Sequence, residues 1–246
     1  MTPPEVEKPV PSTPSSVAMI STLGLISMIA GLSVVLAFQF TDPIIKEKEH
    51  LALEQAVFRV IPGIDEERAT RRSFALSADG LVPLHEKSAA NANLFAVYDA
   101  SGKLAGIAME GAAQGYQDVV HTLYGYDPDC ECIVGLTIMK STDTPGMGDK
   151  KTVEGNAKFM ANFSHLSVEL AADKRSLLHS IETVKHGTKT QAWEVDAISG
   201  ATITSRAIGK GLSKSTDELL PLISRHLQEI SKNPEIKQKT ETEVTQ

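Results

Sequence analysis

The sequence predicts an α+β protein: one N-terminal transmembrane helix, then one domain in which a mixed, largely antiparallel sheet is flanked by helices. Three observations predict it. Residues 17–40 run for 24 positions without a charge. The middle of the chain sets short apolar runs between glycine-bearing turns. Behind Ser199-Gly200-Ala201-Thr202 the apolar spacing becomes helical at once.

The uncharged run comes first. A helix of that length spans roughly 36 Å, enough for a hydrocarbon core of about 30 Å with some tilt. A signal peptide would need a shorter apolar region, a basic leader and a small-x-small exit. Here Lys8 is offset by Glu5 and Glu7, and the run leaves through Phe38-Gln39-Phe40, so the reading is an uncleaved anchor. Gly24, Ser27 and Gly31 share one helix face, where small residues admit a neighbouring helix, although such residues are common in membrane helices. Residues 1–16, rich in proline and serine, read as a disordered extension. Residues 41–90 read as a membrane-proximal helical connector. Thr41-Asp42-Pro43 looks like a helix start, Val57, Val60 and Ile61 follow at helical spacing, and Pro62-Gly63 stops it.

The domain itself is placed at 91–230. Residues 94–99 and 104–110, joined by Ala100-Ser101-Gly102, predict a hairpin. Residues 132–139 and 191–198 read as further strands. Phe159 and Phe163 suggest a helix after Thr152, and Ala207, Ile208, Gly211 and Leu212 mark another from Ile203 to Leu220. Pro221 is expected to open or kink a further segment, and 231–246 to be a flexible tail. With 31 acidic against 24 basic side chains the chain carries a formal charge of −7. That argues against a nucleic-acid backbone binder, which needs a clustered basic face.

The informative segment is Asp196 to Arg206. A β-rich run ends in a turn whose glycine permits close backbone approach, and Thr202, Thr204 and Ser205 surround the start of the following helix. The first N–H groups of a helix form an anion site, so the residues alone allow a phosphate cradle. They equally allow a strand-to-helix turn whose hydroxyls only cap the helix.

Asp-x-x-Ser-Gly-Ala-Thr-x-Thr-Ser resembles the flavinylation motif of the FMN-binding domain family. Gly115-Tyr116-Gln117-Asp118, Leu123-Tyr124-Gly125-Tyr126, the loop Asp143 to Lys150 and the single anchor, in that order, are similar to the G subunits of Rnf-type ion-translocating electron-transport complexes. C subunits of sodium-pumping NADH:quinone reductases are their cousins. The resemblance covers roughly residues 17 to 215 and implies FMN esterified through its phosphate to Thr202 by a separate flavin transferase. Threonine is a poor nucleophile at neutral pH, which fits the need for an enzyme. Ser199, Gly200 and Ala201 would form the turn, Asp196 matches the leading aspartate, and Thr204 and Ser205 complete the cofactor-binding segment. Thr144, Pro145, Gly146, Met147 and Gly148 would lie against the flavin ring; Met147 stands where leucine is usual, and Asp143 is a shorter acid than usual. The implied role is an electron-transfer subunit of a larger ferredoxin/NAD complex, with no catalytic residue of its own. It would sit beside other membrane and redox subunits in a bacterial inner membrane, with its large domain on the periplasmic face. The charge bias across the anchor (Lys8 before; Lys46, Lys48 and Arg59 after) slightly favours the opposite orientation. The alternatives are a quinone-reductase C subunit, a flavin-bearing regulator, or an anchored assembly module without redox chemistry.

The remaining reactive residue types give little. Cys130-Glu131-Cys132 would make a strained disulfide, and neither it nor the seven histidines show metal spacing. Tyr116, Tyr124 and Tyr126 could line a flavin, face a partner or fill a core. No Gly-x-Gly-x-x-Gly follows a strand, so no nicotinamide site is expected.

Overall fold

In the computed structural model, residues 15–65, 67–77, 80–84, 92–146 and 148–232 are described. Residues 1–14 of the N-terminal extension, most of the tail and Met147 lie outside them. The chain divides into two compact units, residues 1–49 and 50–246.

Helix α1 (Ser16–Arg59) is continuous. Its apolar stretch is long enough to cross a membrane, and Leu23, Ile26, Leu32 and Phe38 are all exposed, as a lipid-facing helix requires. The expected helix start at Thr41–Pro43 is instead helix interior. Proline removes one hydrogen bond, to the carbonyl four residues back, but membrane helices tolerate this where other groups re-satisfy the backbone. Thr41 Oγ1, two residues before Pro43, donates to the Ala37 carbonyl at 2.7 Å; the carbonyl left without its helical donor is that of Gln39.

Among the described residues, the second unit is built on seven antiparallel strands: β1 (Thr70–Ser77), β2 (Gly80–Leu84), β3 (Leu94–Tyr98), β4 (Leu104–Gln114), β5 (Val119–Asp127), β6 (Cys132–Lys140) and β7 (Leu166–Ser167). Their order is β2-β1-β3-β4-β5-β6-β7. Strands β8 (Glu182–Val184) and β9 (Glu194–Asp196) form a separate parallel pair. The expected α+β architecture, largely antiparallel with flanking helices, is therefore what the chain adopts. Strands β1 and β2 arise within the stretch read as connector. The run TRRSFALS in β1 hides its strand character behind two arginines; Arg71 pairs with Glu54 and Arg72 lies over the Phe74 ring.

Strand β3 is buried at all five positions, which is why Leu94-Phe95-Ala96-Val97-Tyr98 reads as an unbroken apolar run. Leu94, Ala96 and Tyr98 join the main core, covered by helix α4 (Thr202–Ile230). Phe95 and Val97 face the other way, against Val57, Val60 and Ile61 at the end of α1. Pro221 lies inside α4 and neither starts nor ends it. Gly211 of α4 and Gly111 of β4 face each other without side chains, so helix and sheet backbones touch. Between β6 and β7 come the short helices α2 (Lys150–Glu154) and α3 (Ala157–Met160), then a 3-10 turn. Phe159 and Phe163 meet there edge to face at 5.2 Å.

Candidate flavin site

Three segments meet at one end of the sheet: the β4–β5 turn, the exit from β6, and the start of α4. They meet because Asp143 ties them together. Its carboxylate is almost fully buried (4% exposed). Oδ1 accepts from the Gln117 backbone N–H at 3.0 Å, and Oδ2 accepts from Thr204 Oγ1 at 2.6 Å. A buried carboxylate is costly unless its oxygens are hydrogen-bonded, so this pairing fixes how the three segments sit. Gln117 Nε2 also reaches Thr144 Oγ1 at 3.2 Å.

Around this anchor opens a cleft of about 400 Å³ lined by Tyr116, Thr144, Gly200, Ala201, Thr202, Ile203 and Thr204. That is within the range of small-molecule sites, about 300–1,000 Å³. Gly200 takes a left-handed backbone (φ 85°), which bends the chain so that Thr202 becomes the first residue of α4. Thr202 is half-buried and its hydroxyl has no hydrogen-bond partner among the described residues. The N–H groups of Thr202, Ile203 and Thr204 precede the first intrahelical bonds and face the end where the helix dipole favours an anion. The rim is apolar: Tyr116 is 66% exposed and Ile203 53% exposed, a pairing usual where a flat or apolar group docks.

The other residues of the motif are placed differently. Ser205 is fully buried; its Oγ donates to the Ala201 carbonyl at 2.9 Å and accepts from the Ile198 N–H at 3.0 Å, so it holds the turn from inside. Ser199 is exposed. Asp196 ends β9, accepts from the Gly187 N–H at 2.6 Å and closes the preceding loop. Beside it, Lys189 donates to Asn162 Oδ1 at 3.2 Å. Partial burial lowers the Lys189 ammonium below its ordinary value, against the opposing pull of Asp196 and Glu194. In the 144–148 loop, Gly146 N–H donates to Asp149 Oδ1 at 2.7 Å, and Gly148 packs on Thr204. A Cβ there would come within 2.3 Å of Thr204 Oγ1.

Of the tyrosines, Tyr124 and Tyr126 are core residues and Tyr116 reaches the cleft. Burial pushes both core phenols up. Sequence reasoning left Tyr116 undecided and gave Ile203 and Asp143 no role in building the site. The Gly-Tyr-Gln-Asp signature and the acid before Thr144 were the signals that could have placed Tyr116 and Asp143. Cys130 and Cys132 are joined as a disulfide, contrary to expectation. Glu131 between them adopts a left-handed backbone (φ 48°), which brings the two Cα atoms to 5.2 Å, an ordinary disulfide spacing.

At this helix start, where hydroxyl-bearing residues open into an apolar-rimmed cleft, residues 115–217 match the model of the FMN-binding domain family. The chain is similar to G subunits of ion-translocating oxidoreductase complexes. It is 33% identical over 116 residues to the G subunit of the Na(+)-translocating ferredoxin:NAD(+) oxidoreductase complex of Acetobacterium woodii, covering 47% of this chain and 49% of that one. It is 27% identical over 189 residues to the G subunit of the ion-translocating oxidoreductase complex of Shewanella loihica, covering 76% and 81%. The chain thus spans about half the length of the Acetobacterium relative. In fold it matches Shewanella oneidensis NqrC (TM-score 0.53, 16% identity, 75% of this chain and 98% of that one). It also matches the C subunit of the Na(+)-translocating NADH-quinone reductase of Parabacteroides distasonis (TM-score 0.54, 18% identity, 77% and 96%).

Proposed function

We propose that this chain is the flavin-carrying, electron-transferring G subunit of an Rnf-type ion-translocating oxidoreductase, with FMN held by a phosphoester on Thr202. One observation carries the reading: the Thr202 hydroxyl has no partner among the described residues, sits at the N-terminal end of a 29-residue helix, and opens into the cleft. A phosphate esterified there would lie against the N–H groups of Ile203 and Thr204, where the helix end favours negative charge. Bound FMN supplies one- and two-electron transfer; the protein supplies position and surroundings.

The chain's own residues do the rest. Thr144 forms part of one wall, Tyr116 and Ile203 form the apolar rim, and the Asp143–Thr204 hydrogen bond holds the β6 exit and the helix start together. Thr204 and Ser205 are poor attachment points, because both hydroxyls are buried and already bonded. Attachment needs a flavin transferase, since none of the described residues lining the cleft is a base that could activate Thr202. In this reading α1 anchors the domain on the outer face of a bacterial inner membrane, beside the membrane and redox subunits of the complex. The sequence relatives named above are G subunits, whereas the C-subunit likeness is one of fold alone; that favours the Rnf-type assignment.

The test is Thr202→Ala and Thr202→Ser in the native membrane, scored by in-gel flavin fluorescence and by ferredoxin-dependent NAD reduction. Thr202→Ala is expected to keep the fold and lose both signals. Retained covalent fluorescence in Thr202→Ala would refute the attachment site.

A further inference from the structure

We propose that Cys130 and Cys132 form a redox-active dithiol–disulfide pair, with His165 as its proton donor, at a site separate from the flavin cleft. The pair caps the β5–β6 hairpin, where Asp127 and Cys132 are cross-strand partners. The cleft lies beyond Val119 at the other end of β5, and nine residues of strand separate the two by roughly 26 Å.

The two sulfurs differ in the way an exchange reaction needs. Cys130 is exposed and open to attack, while Cys132 is 5% exposed. His165 Nδ1 lies 3.5 Å from Cys132 Sγ, brought there because β7 pairs Leu166 and Ser167 with Ile133 and Cys132. Both oxidation states have partners waiting. On reduction the Cys130 thiol can donate to the Asp127 carbonyl, 3.7 Å away, and Cys132 faces the imidazole. The bond closes so short a loop that it adds little by restricting the unfolded chain, so stability does not explain it. Glu131 is held in its left-handed backbone by two bonds to the neighbouring segment. Its carbonyl accepts from the Val168 N–H at 3.0 Å and its Oε2 from the Leu170 N–H at 2.9 Å. An exposed disulfide spanning a strained residue is of the labile, exchanging kind.

In the exchange, one thiolate of an incoming dithiol attacks Cys130 Sγ and the Cys130–Cys132 bond breaks. The bonding pair leaves on Cys132 Sγ, which takes a proton from His165 Nδ1. The second thiol of the dithiol then attacks its own mixed-disulfide sulfur, releasing Cys130. Cys130 takes the proton of that second thiol, His165 regains from solvent the proton the first thiol gave up, and the dithiol departs as a disulfide, having passed two electrons to the pair.

The test uses the full-length chain in detergent, folded, first in reduced dithiothreitol and then, after its removal, in excess oxidised glutathione, with free thiols counted after acid quenching by a maleimide-polyethylene-glycol gel shift. Both thiols are expected to appear together in the folded protein and to vanish again in oxidised glutathione. The exposed substitution His165→Asn is expected to slow reduction about tenfold or more, as loss of a proton donor does, with thermal unfolding unchanged. Cys130→Ser, which leaves the buried Cys132 in place, must abolish the exchange. Cysteines that react only after denaturation, an unaltered rate in His165→Asn, or native protein carrying Zn2+ on both thiolates would each overturn the proposal.

Discussion

Replacing Gly125 by alanine tests how the C-terminal end of α1 docks on the seven-stranded sheet. Gly125 of β5 and Gly135 of β6 are directly opposed, and together they leave a gap that the Val60 carbonyl fills. A Cβ on Gly125 would lie 2.2 Å from the Val60 oxygen, and one on Gly135 2.3 Å from it. Real Cβ contacts stop near 3.0 Å, so Gly125→Ala must push Val60 outward by about 0.8 Å, the difference between 3.0 and 2.2. The obstacle is backbone and cannot rotate away. Val57, Val60 and Ile61 would then shift against Phe95, Val97, Ala108 and Leu123. Overpacking of this kind costs about 1–3 kcal/mol, which for a domain of this size lowers Tm by roughly 2–12 °C. The assay is thermal unfolding of the full chain in detergent, followed by near-ultraviolet circular dichroism. Flavin loading should be little changed, because the cleft lies at the other end of the strand. A variant melting within about 1 °C of the parent would refute the docking geometry.

Asp143→Asn removes the charge that ties Gln117 and Thr204 together in a buried setting; the expected cost is about 1–3 kcal/mol, with reduced flavin loading, read by denaturant titration and in-gel fluorescence. Gly148→Ala places a methyl against Thr204 at a backbone angle (φ 121°) that only glycine adopts readily. It should also lower flavin loading, here by pushing Thr204 at the cleft away from Asp143, and normal loading would contradict that placement. The Asp149 carboxyl is held below its ordinary 3.8, first by the Thr152 hydroxyl and then by the Gly146 N–H. A depressed carboxyl contributes fully above its unfolded value and stops contributing as pH falls through the folded one. The 144–149 loop should therefore loosen only on acidification below 3.8, and Asp149→Asn should erase that step in hydrogen exchange of the Gly146 amide.

Much of the fold is written in local pattern, and its failures have local causes. The long apolar N-terminal helix was legible because 24 consecutive uncharged residues favour one unbroken helix. The β3–β4 hairpin was legible because β3 is buried on both faces and Gly102 (φ 78°) marks the turn. Pro43 and Pro221 misled because a proline signals a helix boundary locally, while the surrounding helix can absorb one missing bond. Strand β1 was missed because its arginines are satisfied by Glu54 and Phe74, and Glu54 lies outside any short window of sequence around the strand. The Asp196–Ser205 segment was legible as a motif, yet its architecture was not. Asp143 and Thr204 are 61 residues apart, and only the fold reveals that one buried hydrogen bond joins the two loops. His165, 33 residues from Cys132, escaped notice for the same reason.

The proposed role turns on a phosphoester at one hydroxyl, and peptide mass spectrometry of the chain isolated from its native membrane is the decisive test. The peptide spanning Thr202 is expected to be heavier by FMN less one water, with fragmentation placing the mass on Thr202 and not on Thr204 or Ser205. An unmodified Thr202 peptide from those membranes, or the added mass on a different residue, would rule the phosphoester out.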